Sequence, residues 1–452
     1  MIDIHTLKFR RQKLANLIHF PTVLWSGKSP SRNFKANHYP FRGSSHFLYF
    51  AGLPLENAAI RLENGKLDLF MDNPSPDSTL WHGEMPTRED IARKIEADNH
   101  YPMEVLKDKI DGVATIPVQD HFTYEKQREL LQRSLSGNQE LKEIDYQLMK
   151  AIITLRLTHD DLALKEIKKA VDVAVEAHKM GIKSTKNCST EAEVRATMES
   201  YIMSQNMTCA YNSIVTVHGE VLHNETYHNL LKSGDLILAD VGAETSLGWA
   251  SDITRTWPVK GQFSSSQRDI YDVVLAAHDA CIQKIKPGIE YRDIHLLGAK
   301  IIAEGLVNLG ILKGHPDTLV EKDAHAVFFP HGIGHLLGLD VHDMEDLGDL
   351  AGYEEGRKRS DRFGLGYLRL DRPLKAGMIV TIEPGFYQVP AILNHPKFQE
   401  KYNKDINWDK LKQFSDVRGI RIEDDILVTE TGAEILTQNL PTRVEEIEKM
   451  MN

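Results

Sequence analysis

Two aspartates, a knot of histidines and two glutamates are the residues of this 452-residue chain whose types and spacing could do chemistry. Asp240 and Asp252 lie in SGDLILADVGAETSLGWASDITRTWPV (233–259), two strand-like runs joined near Ser246. A hairpin centred on residue 246 would set the aspartates directly opposite each other, on one face, with Cβ atoms about 4.5–5.5 Å apart. Asp240 follows the apolar run Leu236, Ile237, Leu238 and Ala239, where water should be scarce. Two ionised carboxylates that close demand a cation or a shared proton. Of the 20 histidines, His315, His325, His331, His335 and His342 fall within 28 consecutive residues. In FFPHGIGHLLGLDVHD (328–343), Gly332 stands where a zincin motif needs glutamate, which excludes that motif. Further on, GMIVTIEPGFY (377–387) and GIRIEDDILVT (419–429) each place a glutamate, Glu383 and Glu423, after an apolar alternation. Buried acids need partners. Four carboxylates and one imidazole converging would make a hard, oxygen-rich divalent site suited to Mn2+, with Zn2+, Co2+ or Mg2+ as alternatives.

These residues need a scaffold, and the chain has the material for one. It is 41% hydrophobic and 26% charged, and its length predicts two or three domains. A formal charge of −11 gives no footprint for nucleic acid or an anionic membrane surface. Neither a membrane-spanning apolar run nor an N-terminal secretory signal is read, so the expectation is a cytoplasmic protein. Cys188, Cys209 and Cys281 are too few and scattered for a disulfide framework. In the first part, residues 58–71 alternate about Asn64-Gly65 and predict a hairpin with a type I′ turn. Thr87 with Asp90 predicts a helix start, and ATIPV (114–118) predicts a buried strand. From about residue 138, Leu141, Ile144, Leu148 and Ile152 predict a helix. Thr158-His159-Asp160-Asp161 then resembles a capping box opening a second, with Leu164, Ile167, Val171 and Val175 as its stripe. The domain boundary is placed between them, near residue 155.

The spacing Asp240, Asp252, His335, Glu383, Glu423 resembles the five-ligand dinuclear site of the pita-bread (creatinase/aminopeptidase P/prolidase) metallopeptidases. The segments NHYPFRGSSHFLYFAGL (37–53) and STLWHGEMPTRED (78–90) resemble the N-terminal domain that aminopeptidase P and prolidase share. The resemblance implies an α+β chain. A smaller α/β N-terminal domain (1–155), for substrate access and dimerisation, would precede a pita-bread catalytic domain (156–452) with a curved antiparallel sheet and flanking helices. It implies two divalent ions, with Asp252 and Glu423 bridging, Asp240 on one ion, and His335 and Glu383 on the other. A hydroxide shared by the two ions would be the nucleophile, with Glu383 as proton shuttle. His223, His331 and His342 match the family's outer histidines, which contact substrate and the tetrahedral intermediate. Arg421 would orient a ligand carboxylate from behind. Asn224 departs from the aromatic residue usual after the histidine aligned at His223, and a match at Tyr211 is noted.

Within the family, the spacings of about 40 residues from His342-Asp343 to Glu383 and from Glu383 to Glu423 look like those of prolidase, and these insertions could wall off the site. Arg369 matches an arginine that pairs with the substrate's C-terminal carboxylate in prolidases, a role suited to its planar fork. Trp81 matches a tryptophan that reaches a neighbouring subunit's active site, which implies a homodimer. The expected activity is hydrolysis of Xaa-Pro dipeptides. The alternatives are an Xaa-Pro aminopeptidase acting on longer peptides and, more remotely, a metal-free binding protein on the same fold.

Overall fold

In the computed structural model, residues 3–135 and 143–452 are described. The chain forms two compact units, Met1–Leu157 and Thr158–Asn452. The first is built on a mixed sheet of β1 (Thr22–Trp25), β2 (Ala59–Glu63), β3 (Lys66–Phe70), β4 (Asn99–Tyr101) and β5 (Ala114–Thr115), in the order β4-β3-β2-β1-β5. Asn64 and Gly65, at φ +52° and +78°, connect β2 to β3 with the two positive φ angles that a type I′ turn requires. Thr87 and Asp90 cap the helix Arg88–Lys94 reciprocally, each side chain bonding the other residue's backbone N–H.

The strand expected over 114–118 pairs with β1 only as far as Thr115. Beyond it the Gln127 amide donates to the Ile116 carbonyl and accepts from the Val118 N–H, replacing a neighbouring strand. The helix expected from about 138 is seen as Glu143–Arg156, with Leu148 and Ile152 buried; Leu141 lies outside the described residues.

The second unit begins with the helix Asp161–Ser184. Its cap is Asp160 alone, accepting from the Ala163 N–H, rather than the box expected from Thr158. His159 N–H donates instead to the Gly377 carbonyl. Ile167, Val171 and Val175 are buried on its inner face, and Leu164 is only partly so. The strands that follow are short and pair antiparallel: β6 (Thr208–Cys209), β7 (Ile214–Thr216), β8 (Leu236–Asp240), β9 (Ala243–Glu244), β10 (Thr254–Pro258), β11 (Ile379–Ile382), β12 (Gly385–Tyr387), β13 (Gly419–Arg421), β14 (Asp424–Val428) and β15 (Ala433–Ile435). They form ladders β10-β8-β7, β11-β14-β15, β12-β13 and β6-β9, and the single bridges Thr254–Glu423 and Leu336–Val380 link them further. The expected fold, a smaller α/β part followed by an α+β part with antiparallel strands, is the one adopted.

Every residue of β8, β10, β11 and β14 is buried. Apolar burial at about 1.5–3 kcal/mol per large side chain opposes the cost of carrying carboxylates into this interior. The helices Ser265–Lys284 and Tyr291–Asn308 pack against each other, presenting Ile270, Val274 and Ala277, and Ile294, Ile302 and Leu306, to the interior. Among the described residues, no helix is long and apolar enough to cross a membrane.

Candidate metal centre

Asp240 closes β8, and Asp252 stands two residues before β10. The pairing register is not the one centred on residue 246. Asp240 is opposite Thr254, and the bridge Glu244–Ala250 continues the same register. Gly248 takes φ +87° as the last residue of a three-residue loop, which moves the hairpin's centre to residue 247. Asp240 and Asp252 are therefore diagonal rather than directly opposed, still on one face of the pair.

The Tyr211 hydroxyl spans them, 2.5 Å from Asp240 Oδ1 and 2.5 Å from Asp252 Oδ1. One hydroxyl proton serves one of those oxygens. The second contact is satisfied if a carboxyl is protonated or a cation takes its oxygen.

Glu383 follows β11, its backbone N–H donating to the Ile333 carbonyl, and Glu423 lies between β13 and β14. Gly334, at φ +156°, lets the chain pass so close that a Cβ would stand 2.2 Å from the Thr381 carbonyl oxygen and 2.3 Å from the Tyr291 hydroxyl. That passage holds His335, whose N–H donates to Thr381 Oγ1. His335 Nε2 lies 3.3 Å from Asp252 Oδ2 and 3.7 Å from Glu383 Oε1.

Three overlapping sets of side chains hold potential ligand atoms within 4.8 Å of one another: Asp240, Asp252 and Glu423; His335, Glu383 and Glu423; Asp252, His335 and His342. All five residues expected as ligands are included, and His342 joins them through its ring, stacked on His335 with centroids 3.9 Å apart. Glu423 Oε2 accepts from Thr254 Oγ1, whereas Oε1 is buried with no hydrogen-bond partner. An orphaned carboxylate oxygen beside two more buried carboxylates fits a divalent cation.

Burial, then the neighbouring Asp240, pushes the Asp252 carboxyl up. Burial raises Glu383, and burial with Asp252 raises Glu423 well above its usual range. With folded-state values raised, these three carboxyls bind more protons in the metal-free folded chain than in the unfolded one above about pH 4. Their contribution to stability consequently falls as pH rises. The gain in melting temperature when Mn2+ is added to metal-stripped protein is expected to be larger at about pH 8 than at about pH 5.5. A calorimetric series in which that gain is flat or shrinks with pH would contradict this repulsion.

Arg421, on β13, braces the acids from behind. Its Nη2 donates to Asp240 Oδ2 at 2.6 Å, Nε to Thr254 Oγ1 and Nη1 to the Tyr387 hydroxyl. His331 Nε2 is 2.9 Å from that hydroxyl, and its Nδ1 is 3.6 Å from Glu383 Oε2. Burial, then Arg421, lowers His331 to about 3, so the ring is neutral. Tyr387 and Thr254 were not anticipated. Thr254 could have been, because it stands two residues after Asp252 and so shares its face of the strand.

A second buried network lies behind Glu423. Arg255 Nη1 donates to the Glu423 carbonyl, and Nη2 donates to Asp424 Oδ1 at 2.7 Å and to the Leu440 carbonyl. Thr437 Oγ1 also donates to Asp424 Oδ1, and His278 Nε2 lies 2.9 Å from Oδ2.

The ligand cluster opens into a cavity of about 370 Å3, whose wall includes Leu222, His223, His331, His342, Tyr367 and Arg369. That volume accommodates a short peptide segment. His223 is exposed to solvent, and partial desolvation followed by the nearby Arg421 lowers its affinity for a proton. Of the two long insertions, the first contributes Tyr367 and Arg369 to the wall. Of the second, Arg421 on β13 lines the cavity, and among the described residues none of 388–418 does. Trp81 is not part of the cluster. It lies in the helix Pro76–His82 of the first unit, 78% exposed, and is not a core residue.

Residues 165–430 match the model of metallopeptidase family M24. The chain belongs to metallopeptidase family M24. Residues 7–117 match the aminopeptidase P N-terminal domain, which accompanies the M24 domain here. A probable Xaa-Pro aminopeptidase of Sordaria macrospora is 32% identical over 91% of this chain and 87% of its own length. The human Xaa-Pro dipeptidase is 30% identical over 95% of this chain and 88% of its own length. Escherichia coli aminopeptidase P, solved with the inhibitor Pro-Leu, superposes with a TM-score of 0.81 at 27% identity, covering 100% of this chain and 98% of that one. The pita-bread resemblance read from the five spaced ligands is thereby established, and the chain is an M24 metallopeptidase.

Proposed function

We propose that this M24 metallopeptidase hydrolyses the bond before proline, releasing the first residue of peptides whose second residue is proline. The observation that carries the reading is the convergence of Asp240, Asp252, His335, Glu383 and Glu423 on one peptide-sized cavity. Those five residues would hold two divalent ions, Mn2+ first. Once bound, the ions supply Lewis-acid polarisation of the scissile carbonyl and lower the pKa of water. Glu383 takes the proton from the attacking water and returns it to the leaving imino nitrogen of proline, a task favoured by its raised affinity for protons. His331, neutral and anchored to Tyr387, presents its ring beside Glu383, and His223 and His342 contact the substrate from the wall. Arg421 holds Asp240 in its orientation through the bond to Oδ2. Trp81, exposed on the first unit, is available to a second copy of the chain, the role that a homodimeric active unit would give it.

The names of the fungal relatives support the aminopeptidase reading. A dipeptidase reading has one specific observation behind it: Arg369, a guanidinium suited to a C-terminal carboxylate, lies on the cavity wall. Comparing kcat/KM on Ala-Pro-Ala and Ala-Pro under identical Mn2+ loading decides between them. The tripeptide is expected to be cleaved faster. Faster cleavage of Ala-Pro would establish the dipeptidase, and cleavage of neither by metal-loaded enzyme would overturn the proposal.

A further inference from the structure

Two permanent cations, Arg369 and Arg421, are among the residues lining the cavity. Arg421 is consumed by Asp240, Thr254 and Tyr387. Of the two arginines, Arg369 is therefore the one left to meet a substrate carboxylate. That guanidinium already has a carboxylate partner in the protein: Arg369 Nη1 lies 2.9 Å from Glu345 Oε1 and 2.7 Å from Glu345 Oε2.

Glu345 is held from a second side by His342, whose Nδ1 is 3.0 Å from Oε1. To leave Arg369 it would have to give up contacts with both partners, or swing while keeping only one. Both of its oxygens lie on one nitrogen of the guanidinium, so Glu345 brings a carboxylate's negative charge to the place a substrate carboxylate would take. A free carboxylate approaching Arg369 thus meets a cation already neutralised and a like charge beside it. A substrate whose chain continues beyond proline, or ends in an amide, brings a neutral carbonyl to the same place, and the Nε and Nη2 edges of Arg369 serve it without opposition.

We propose that Glu345 is a specificity-determining residue, which neutralises Arg369 through Nη1, sets a like charge beside its remaining edge and so selects against substrates with a free carboxylate on the proline. This rests on the Xaa-Pro reading above and adds the residue that sets the length preference. Glu345 acts here by what it repels as much as by what it holds.

The test uses two substrates that differ at the terminus alone, Ala-Pro and Ala-Pro amide, with Mn2+-loaded wild-type and Glu345→Gln enzymes. Glutamine keeps the side chain's length and its acceptor oxygen for His342 and Arg369 while removing the charge. The preference for the amide, as a ratio of kcat/KM values, is expected to fall by about tenfold in the variant, carried by KM for Ala-Pro. A general loss of packing would lower both rates together and leave the ratio where it was. In metal-free protein, where no turnover intervenes, calorimetric titration should show the same substitution tightening Ala-Pro and leaving the amide unchanged. A ratio within twofold of wild type, or a wild-type enzyme that prefers the free acid, would overturn the role of Glu345. Failure of wild-type enzyme on both substrates and on Ala-Pro-Ala would instead overturn the Xaa-Pro reading.

Discussion

Replacing Glu383 with glutamine is expected to lower kcat for Ala-Pro-Ala by about a thousandfold, the scale of a lost general acid–base group together with a weakened ligand. Glutamine matches the side chain in shape and can sit at the end of β11 with the same backbone bond to Ile333. It can neither take a proton from water nor deliver one to a leaving nitrogen. The neighbours offer no substitute: His331 is neutral, held to Tyr387 and strongly disinclined to protonate, and His335 is committed among Asp252, Glu383 and the backbone. Because Glu383 is also a proposed ligand, metal content should be measured alongside turnover. Full metal content with turnover reduced by about three orders of magnitude isolates the proton-transfer role. A decrease smaller than about tenfold would remove Glu383 from that role.

The second large effect is on stability. Asp424→Asn is expected to destabilise the protein by about 3–5 kcal/mol, the range for breaking a fully buried ion pair on one side. Arg255 is fully buried, and Asp424 is its one carboxylate contact among the described residues; its remaining donors go to the carbonyls of Thr254, Glu423, Leu440 and Pro441. Burial alone would raise Asp424, but Arg255, His278 and Thr437 hold it well below the usual carboxylate range. A depressed folded-state value means that this stabilisation is present above about pH 4 and is lost as pH falls through and below it. Urea unfolding of wild type and variant at neutral pH should show the full difference, narrowing under acid conditions. Equal midpoints at neutral pH would show the network to be dispensable. The slope is opposite in sign to that of the metal centre, so the two effects separate along the pH axis.

The five proposed ligands were legible because Asp240, Glu383 and Glu423 follow apolar runs, His335 sits among glycines, and Asp252 stands across a turn from Asp240. The same is true of the Asn64-Gly65 hairpin and the Thr87–Asp90 cap, where every determinant lies within four residues. What escaped depended on distance or on a two-residue shift of register. Asp240 pairs with Thr254 instead of Asp252 because the αL residue is Gly248, a choice visible only once the loop length is known. Tyr387 and Arg421 meet across the β12-β13 ladder, and Glu345 reaches Arg369 from 24 residues away. Pairs of that kind are formed by tertiary packing, and nothing in either local sequence announces them.

The second long excursion leaves the sheet at Tyr387 and returns at Gly419, and those two residues are direct partners in β12-β13. Gln388 clasps its base, with the backbone N–H on the Arg418 carbonyl and the side-chain amide on the carbonyls of Phe414 and Val417. Topologically, the whole excursion is one enlarged hairpin loop. Closing such a loop costs only about 0.6 kcal/mol more for each doubling of its length. The excursion then holds its own order, because Tyr402, Ile406 and Phe414 are buried and the Tyr402 hydroxyl donates to the Lys322 carbonyl, while the ladder that aligns Tyr387 with Arg421 stays in place. Since none of residues 388–418 lines the cavity, substrate choice is better sought in side chains that do.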